Sequence, residues 1–351
     1  MLAARGHEHL VPRARGQGGH EAADRARSDD RDAHARQPRL NLVPTGLLLV
    51  DKPQGLTSHD VVARARRALG TRKVGHAGTL DPMATGLLTL GAGSATRLLT
   101  YLVGLDKTYE TTMRLGAATT TDDAEGEVVM TADPAAIAAV TDEQLAQGIR
   151  ALTGEIDQRP SSVSAIKVDG KRAYDRVRAG EEVELASRRV TIRAFEVLAV
   201  RRTGEAIDVD ARIDCSSGTY IRALARDLGA SLGIGGHLTA LRRTRVGSFE
   251  VADAVSLEAL AEGGASLLAS PAEVAARLFP VLEVDAAQAR DLGHGKLLTL
   301  PTHPDAEPVA AVERGSGGEH PDRLVALISV RQGRGRTLVG FPPENAQEAP
   351  K

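Results

Sequence analysis

The chain contains no tryptophan, one cysteine, four tyrosines and four phenylalanines among its 351 residues. With Cys215 alone an intramolecular disulfide cannot form and a cysteine-based metal site is excluded, so the chain suits a reducing compartment. No apolar run approaches the roughly 18 residues that a bilayer span needs, and the N-terminus lacks the apolar core of a secretory signal. A soluble, cytoplasmic protein with no membrane partner is expected. An excess of either charge is also missing: 44 Lys and Arg against 46 Asp and Glu leave a formal net charge of −2. Residues 1–44 carry 8 basic and 6 acidic side chains, residues 45–250 carry 27 and 26, and residues 251–351 carry 9 and 14. A polyanionic partner would have to be met by local basic clusters and not by a basic whole.

What is present points to two domains, or a large one with a smaller one. Apolar residues make up 42% of the chain, enough for a sizeable core. Residues 1–44 are rich in Arg, His, Gly and Asp without apolar periodicity, so they are expected to be disordered; a basic arm that touches RNA is the alternative. Order begins at GLLLVDKP (46–53), a short strand stopped by proline. LTSHDVVARARRALG follows, where Thr57 or Ser58 caps a helix with Val61, Ala65 and Leu69 inward and Gly70 at its end. KTYETTMRL (107–115) alternates, setting Tyr109, Thr111, Met113 and Leu115 on one face of a strand; Ile207 to Cys215 alternates likewise. GTYIRALARDLGASLG then reads as a helix with Ile221, Leu224, Leu228 and Leu232 inward. Strands alternating irregularly with helices predict a mixed sheet in an α+β fold. Residues 251–279 read as a linker with short helices. The tail reads as a small β-rich domain containing LVALISV (324–330) and TLVGF (337–341).

GHAGTLDPMATG (75–86) carries the sharpest question. Pro82 pushes Asp81 out of the α region, and Gly75, Gly78 and Gly86 punctuate the stretch, so it reads as a loop. Asp81 can be a helix N-cap followed by proline, or a catalytic carboxylate. His76 can be a hydrogen-bonded loop histidine. No second carboxylate stands nearby for paired acid–base work, and no ligand spacing supports zinc.

The same stretch resembles the catalytic loop of the TruB-type tRNA pseudouridine-55 synthases. The resemblance continues in order through LLLVDKPQGLTSHD (47–60), DKTYETTMRLG (106–116), PSSVSAIKVDGKRAY (160–174), CSSGTYIRALARDLG (215–229) and GGHLTALRRTRVGSF (235–249), covering about residues 46–250. It implies a catalytic domain over 45–250, with an insert over about 116–200 that grips RNA. More weakly, it implies a PUA-like RNA-binding domain over 280–345. The fold implied is a central mixed, mainly antiparallel sheet flanked by helices and loops.

The activity implied is isomerisation of uridine 55 in the tRNA T loop, without cofactor, metal or guide RNA, by a monomer. By resemblance Asp81 is the essential carboxylate, and Arg222 is the cation that keeps it charged against desolvation. Tyr109 stacks on the target base, while Tyr220 and Leu241 line its pocket. His76 fills the place the flipped base leaves. Whether Asp81 attacks C1′, attacks the base or assists elimination stays open. Phosphate contacts are expected from Lys52, Arg64, Arg66, Arg67, Arg72, Lys73, Lys107, Lys167, Lys171, Arg172, Arg242, Arg243 and Arg245. The acidic loop AATTTDDAEG departs from the pattern at Thr120, where relatives often carry aspartate. A guide-RNA-dependent synthase and a non-catalytic tRNA-folding protein are the rival readings.

Overall fold

The computed structural model describes residues 43–161, 167–168, 171–172, 186–315 and 321–343, with 167–168 and 171–172 as backbone only. The extension expected to be disordered lies outside the described residues, apart from Val43 and Pro44. The strands in chain order are β1 (Gly46–Lys52), β2 (Val74–Ala77), β3 (Thr85–Ala92), β4 (Lys107–Leu115), β5 (Ala117–Thr119), β6 (Val128–Thr131), β7 (Gly154–Gln158), β8 (Lys167–Val168), β9 (Lys171–Arg172), β10 (Arg188–Arg202), β11 (Ile207–Cys215), β12 (Gly236–Val246) and β13 (Phe249–Glu250). The tail adds β14 (Val281–Val284), β15 (Leu298–Thr299), β16 (Ala306–Glu313), β17 (Arg323–Arg331) and β18 (Arg334–Gly340).

Nine strands form one sheet in the order β1-β3-β12-β4-β11-β10-β7, with β2 on β3 and β13 on β12. Every pairing is antiparallel except β12 with β3, as the mixed, mainly antiparallel expectation requires. Alternation assigns the faces of β4 and β11. Tyr109, Thr111, Met113 and Leu115 are buried together with Ile207, Val209, Ala211, Ile213 and Cys215. Two helices cover this face, Ser58–Ala68 and Ile221–Ser231, and bring Val61, Ala65, Ile221, Leu224 and Leu228 into one apolar cluster with it. Each such Leu, Ile or Val contributes roughly 1.5–3 kcal/mol by leaving water.

The opposite face is charged, and its charges pair across strands. Arg114 meets Asp208 at 2.8 Å and Arg212 meets Glu110 at 2.9 Å, while Arg245 reaches Asp214 at 2.8 Å. Cross-strand pairing uses several of the basic side chains that composition alone leaves free.

Residues 251–279, read as a linker with short helices, carry the helices Leu257–Gly263 and Pro271–Leu278 and also join the edge of the sheet: Leu47 and Ala269 exchange backbone hydrogen bonds of 2.9 and 2.8 Å, and Val255 donates to Leu49 at 2.9 Å. The unpaired edge of β1 recruits this segment because its buried N–H and C=O groups need partners. Within residues 116–200, β7 and β10 form the last two strands of the central sheet. The tail forms a second sheet in the order β14-β16-β17-β18-β15, around Val309, Ala311, Val325, Ile328 and Val330.

Candidate active site

β2 and β3 pair antiparallel, His76 opposite Leu90, so only residues 78–84 remain as loop. The strand claims Gly75, His76 and Ala77, which the glycine spacing had assigned to the loop. No helix begins at Asp81. The chain turns there, with Ala84 donating to the Asp81 carbonyl at 3.1 Å, and the capping alternative falls. Thr57 caps the neighbouring helix in a capping box with Asp60, which frees Ser58 for another task. The Ser58 hydroxyl donates to the Leu80 carbonyl at 3.1 Å and accepts from the Leu80 N–H at 2.9 Å. Gly55 N–H donates to the Pro82 carbonyl at 2.8 Å. Asp81 is thus held from both sides by backbone ties.

Arg222, the second residue of its helix, is buried, and its Nε lies 3.1 Å from Asp81 Oδ2. Its Nη1 donates to the Thr121 carbonyl at 2.7 Å and lies 3.1 Å from Asp123 Oδ2. Asp123 is itself buried and accepts from Thr121 Oγ1 at 2.5 Å and Glu125 N–H at 3.1 Å. Sequence reasoning missed Asp123 and Thr121. The signal was the acidic loop TTTDDAEG, in which only Thr120 had drawn notice. Burial, with Asp123 and Asp81 adding their charges, raises the Glu125 carboxyl above its usual range.

Asp81 and Arg222 line a cavity of about 280 Å³ together with Tyr109, Tyr220, Leu241, Lys107 and Arg243. Tyr109 comes from the inner face of β4 and Leu241 from β12. Burial raises the Tyr109 phenol, and the Arg243 guanidinium beside it opposes that rise. Tyr220 precedes the Arg222 helix. The Gln158 side chain holds the Tyr220 backbone at both ends, accepting from its N–H at 2.8 Å and donating to its carbonyl at 3.0 Å. Gln158 was not anticipated. His76 does not line this cavity. Its ring meets His59 edge to face at 5.6 Å, and its buried Nδ1 has no hydrogen-bond partner among the described residues. Burial first, then His59 and Arg243, lowers the His76 imidazole, which favours its neutral form. Among the described residues no cluster of His, Cys, Asp and Glu could hold a metal ion.

The phosphate-contact candidates divide. Lys52 is fully buried, donating to the carbonyls of Pro53, Leu56 and Pro82 at 3.0, 2.7 and 3.4 Å, and burial lowers it to about 8. Lys107 is buried on the carbonyls of Val103 and Leu105 at 3.1 and 2.5 Å, and burial lowers it too to about 8. Arg243 is 1% exposed. These three brace the backbone as internal cations, and Lys107 and Arg243 also line the cavity. Arg242 pairs with Asp51 at 2.7 Å, Arg245 with Asp214, and Arg66 donates to the Val74 carbonyl at 3.0 Å. Arg64, Arg67 and Arg72 are exposed and Lys73 is half-buried. Lys167 and Arg172 pair across the β8–β9 ribbon, as do Val168 and Lys171; the side chains of Lys167, Lys171 and Arg172 lie outside the described residues.

Known proteins resemble this chain along almost the whole of its described length. Residues 66–221 match the TruB family pseudouridylate synthase N-terminal domain, 222–281 the tRNA pseudouridylate synthase B C-terminal domain, and 279–342 the tRNA pseudouridine synthase II C-terminal domain. The tRNA pseudouridine synthase B of Leifsonia xyli is 59% identical over 307 residues, covering 87% of this chain and 99% of that protein. That of Rhodococcus jostii is 59% identical over 309 residues, covering 88% and 97%. Among solved structures, an H/ACA RNP bound to a substrate RNA containing 2′-deoxyuridine aligns with a TM-score of 0.62 at 24% identity over 86% of each chain. An archaeal box H/ACA sRNP complex aligns with a TM-score of 0.62 at 24% identity over 89% of this chain and 91% of that one, and both likenesses speak to the fold. The three matched segments and the two full-length relatives agree: the chain belongs to the TruB family of pseudouridylate synthases.

Proposed function

We propose that this protein converts uridine 55 in the T loop of tRNA to pseudouridine, acting on the tRNA without guide RNA, metal or cofactor. The observation that carries the proposal is the Asp81–Arg222 pair, 3.1 Å apart, set into a cavity of about 280 Å³ walled by Tyr109, Tyr220 and Leu241. That volume is at the lower end of ligand pockets, roughly 300 Å³, and suits a single nucleoside turned out of its stack. In the reaction the C1′–N1 bond breaks and a C1′–C5 bond forms. The base loses its C5 proton to solvent and N1 gains one, so the formula is unchanged.

Breaking the glycosidic bond leaves C1′ electron-poor, and a preorganised carboxylate stabilises or traps that centre. Asp81 has that role, with Arg222 holding it in one orientation. Tyr109 stacks on the base and presents its hydroxyl to it, while Tyr220 and Leu241 complete the walls. Unstacking a base costs a few kcal/mol. His76, outside the cavity and favoured in its neutral form, fills the vacated place and offsets part of that cost. Arg64, Arg67, Arg72, Lys73, Lys167, Lys171 and Arg172 remain the phosphate contacts. The β-rich tail serves as a PUA-like RNA-binding domain.

The test uses a T-arm stem-loop RNA tritiated at uridine C5, incubated with the protein alone. Release of tritium to water, lost in Asp81→Asn while the RNA still binds, supports the reading. Tight binding without release by the native protein would favour an RNA-folding role. Release that appears only when cellular RNA is added would favour a guided synthase.

A further inference from the structure

Among the described residues Arg243 is the largest fully buried side chain, and no carboxylate pairs with it. A buried cation without a counter-charge is costly, and an apolar residue of similar volume would usually serve stability as well or better. What Arg243 does contact is the Asp81 loop. Its Nε donates to the Leu87 carbonyl at 2.8 Å and its Nη2 to the Gly78 carbonyl at 3.0 Å, with Nη1 3.5 Å from the Thr79 carbonyl. Its backbone pairs with Gly86 in the one parallel contact of the central sheet. Asp81 therefore sits in a span, 78 to 86, whose first residue is held by the Arg243 side chain and whose last is held by the Arg243 backbone. The two glycines make this closeness feasible. Gly78 has φ +84, and a Cβ there would stand 3.3 Å from Arg243 Nη1; Gly86 has φ +97, and a Cβ there would meet the Arg243 carbonyl at 2.3 Å. The same guanidinium lies beside the Tyr109 hydroxyl, on the strand paired with Arg243 from the other side.

We propose that Arg243 is a positioning residue of the active site: one rigid guanidinium fork sets the Asp81 loop and the Tyr109 hydroxyl in register with each other. It acts through those two groups. The proposal rests on the uridine reading above and assigns that site its internal brace. An ammonium cannot replace the fork, because it is a point charge on a flexible stem and does not reproduce the planar donor geometry.

The experiment compares native protein, Arg243→Lys and Gly78→Ala in single-turnover tritium release and in equilibrium binding of the same T-arm RNA. Arg243→Lys keeps the charge and loses the fork. Gly78→Ala keeps Arg243 and crowds its Nη1, so the proposal stays testable even where Arg243→Lys fails to fold. We expect the single-turnover rate to fall about 100-fold in Arg243→Lys, because misplacement by about an ångström costs that much, while affinity changes less than about threefold. Gly78→Ala should show the same split in milder form. Rates within about threefold of native in a folded variant overturn the proposal. So does an affinity loss that matches the rate loss, which would return Arg243 to the phosphate contacts. Release by the native protein is read in the same series, and its absence would overturn the uridine reading itself.

Discussion

Arg222 Nη1 lies 3.1 Å from Asp123 Oδ2, so the cation that faces Asp81 is anchored from behind by a second, buried carboxylate. With its other edge held, the Arg222 guanidinium can present Nε to Asp81 in one orientation. We expect Asp123→Asn to slow the chemical step roughly 10- to 100-fold while RNA affinity stays close to native, since a displaced Arg222 misaligns Asp81. Stability should fall by about 1–3 kcal/mol, the range for disturbing one buried hydrogen-bonded group. Single-turnover kinetics and urea midpoints check both, and an unchanged rate would remove Asp123 from the site.

Tyr109→Phe keeps the buried ring on β4 and removes only the hydroxyl. We expect a rate loss of about 100-fold or more, within the span for a lost proton-handling group, with affinity unchanged. Near-native single-turnover rates would reduce Tyr109 to a stacking surface.

Gln158→Ala removes the two side-chain bonds made to the Tyr220 backbone. The start of the Arg222 helix then loses its tie to β7. The expected outcome is a stability loss of about 1–3 kcal/mol and a rise in KM, because Tyr220 lines the cavity. Thermal unfolding and steady-state kinetics measure these; a fall in kcat at constant KM would point away from Tyr220.

Lys107 supplies a pH signature. Burial lowers it from 10.5 to about 8, so between those values the folded chain has released a proton that the unfolded chain retains. Stability therefore rises with pH across about 8 to 10.5, and below 8 the buried ammonium is a net cost. In Lys107→Met this rise should be diminished, leaving the Lys52 contribution over the same window. Urea unfolding at pH 7.5, 9 and 10.5 reads it, and equal slopes in the two proteins would place the lysine outside this linkage.

The parts legible in the sequence were those governed by local periodicity. The alternation in KTYETTMRL and in Ile207 to Cys215 gave both central strands with their boundaries, because a period of two sends every second side chain to one face. The stripe Val61, Ala65, Leu69 and a cap at Thr57 or Ser58 similarly marked the first helix. Ordered motifs also pointed to the residues of the cavity, Asp81, Tyr109, Tyr220, Arg222 and Leu241.

What only the tertiary structure decided was which charges face solvent and which carry a partner. Lys52, Lys107 and Arg243 look like RNA contacts in one dimension, yet each is buried on backbone carbonyls: those of Lys52 and Lys107 come mostly from the adjoining turns that fold back over them, and those of Arg243 from the distant Gly78 and Leu87. Asp123 reaches Arg222 because the loop between β5 and β6 lies against the helix that begins at Ile221, a relation between distant segments with no local periodicity. The edge of β1 likewise took Val255 and Ala269 as partners from a stretch that reads as linker. Side-chain period is a local property of the chain. Burial of a charge and the pairing of a strand edge depend on which distant segments close over it, and that is set by the fold as a whole.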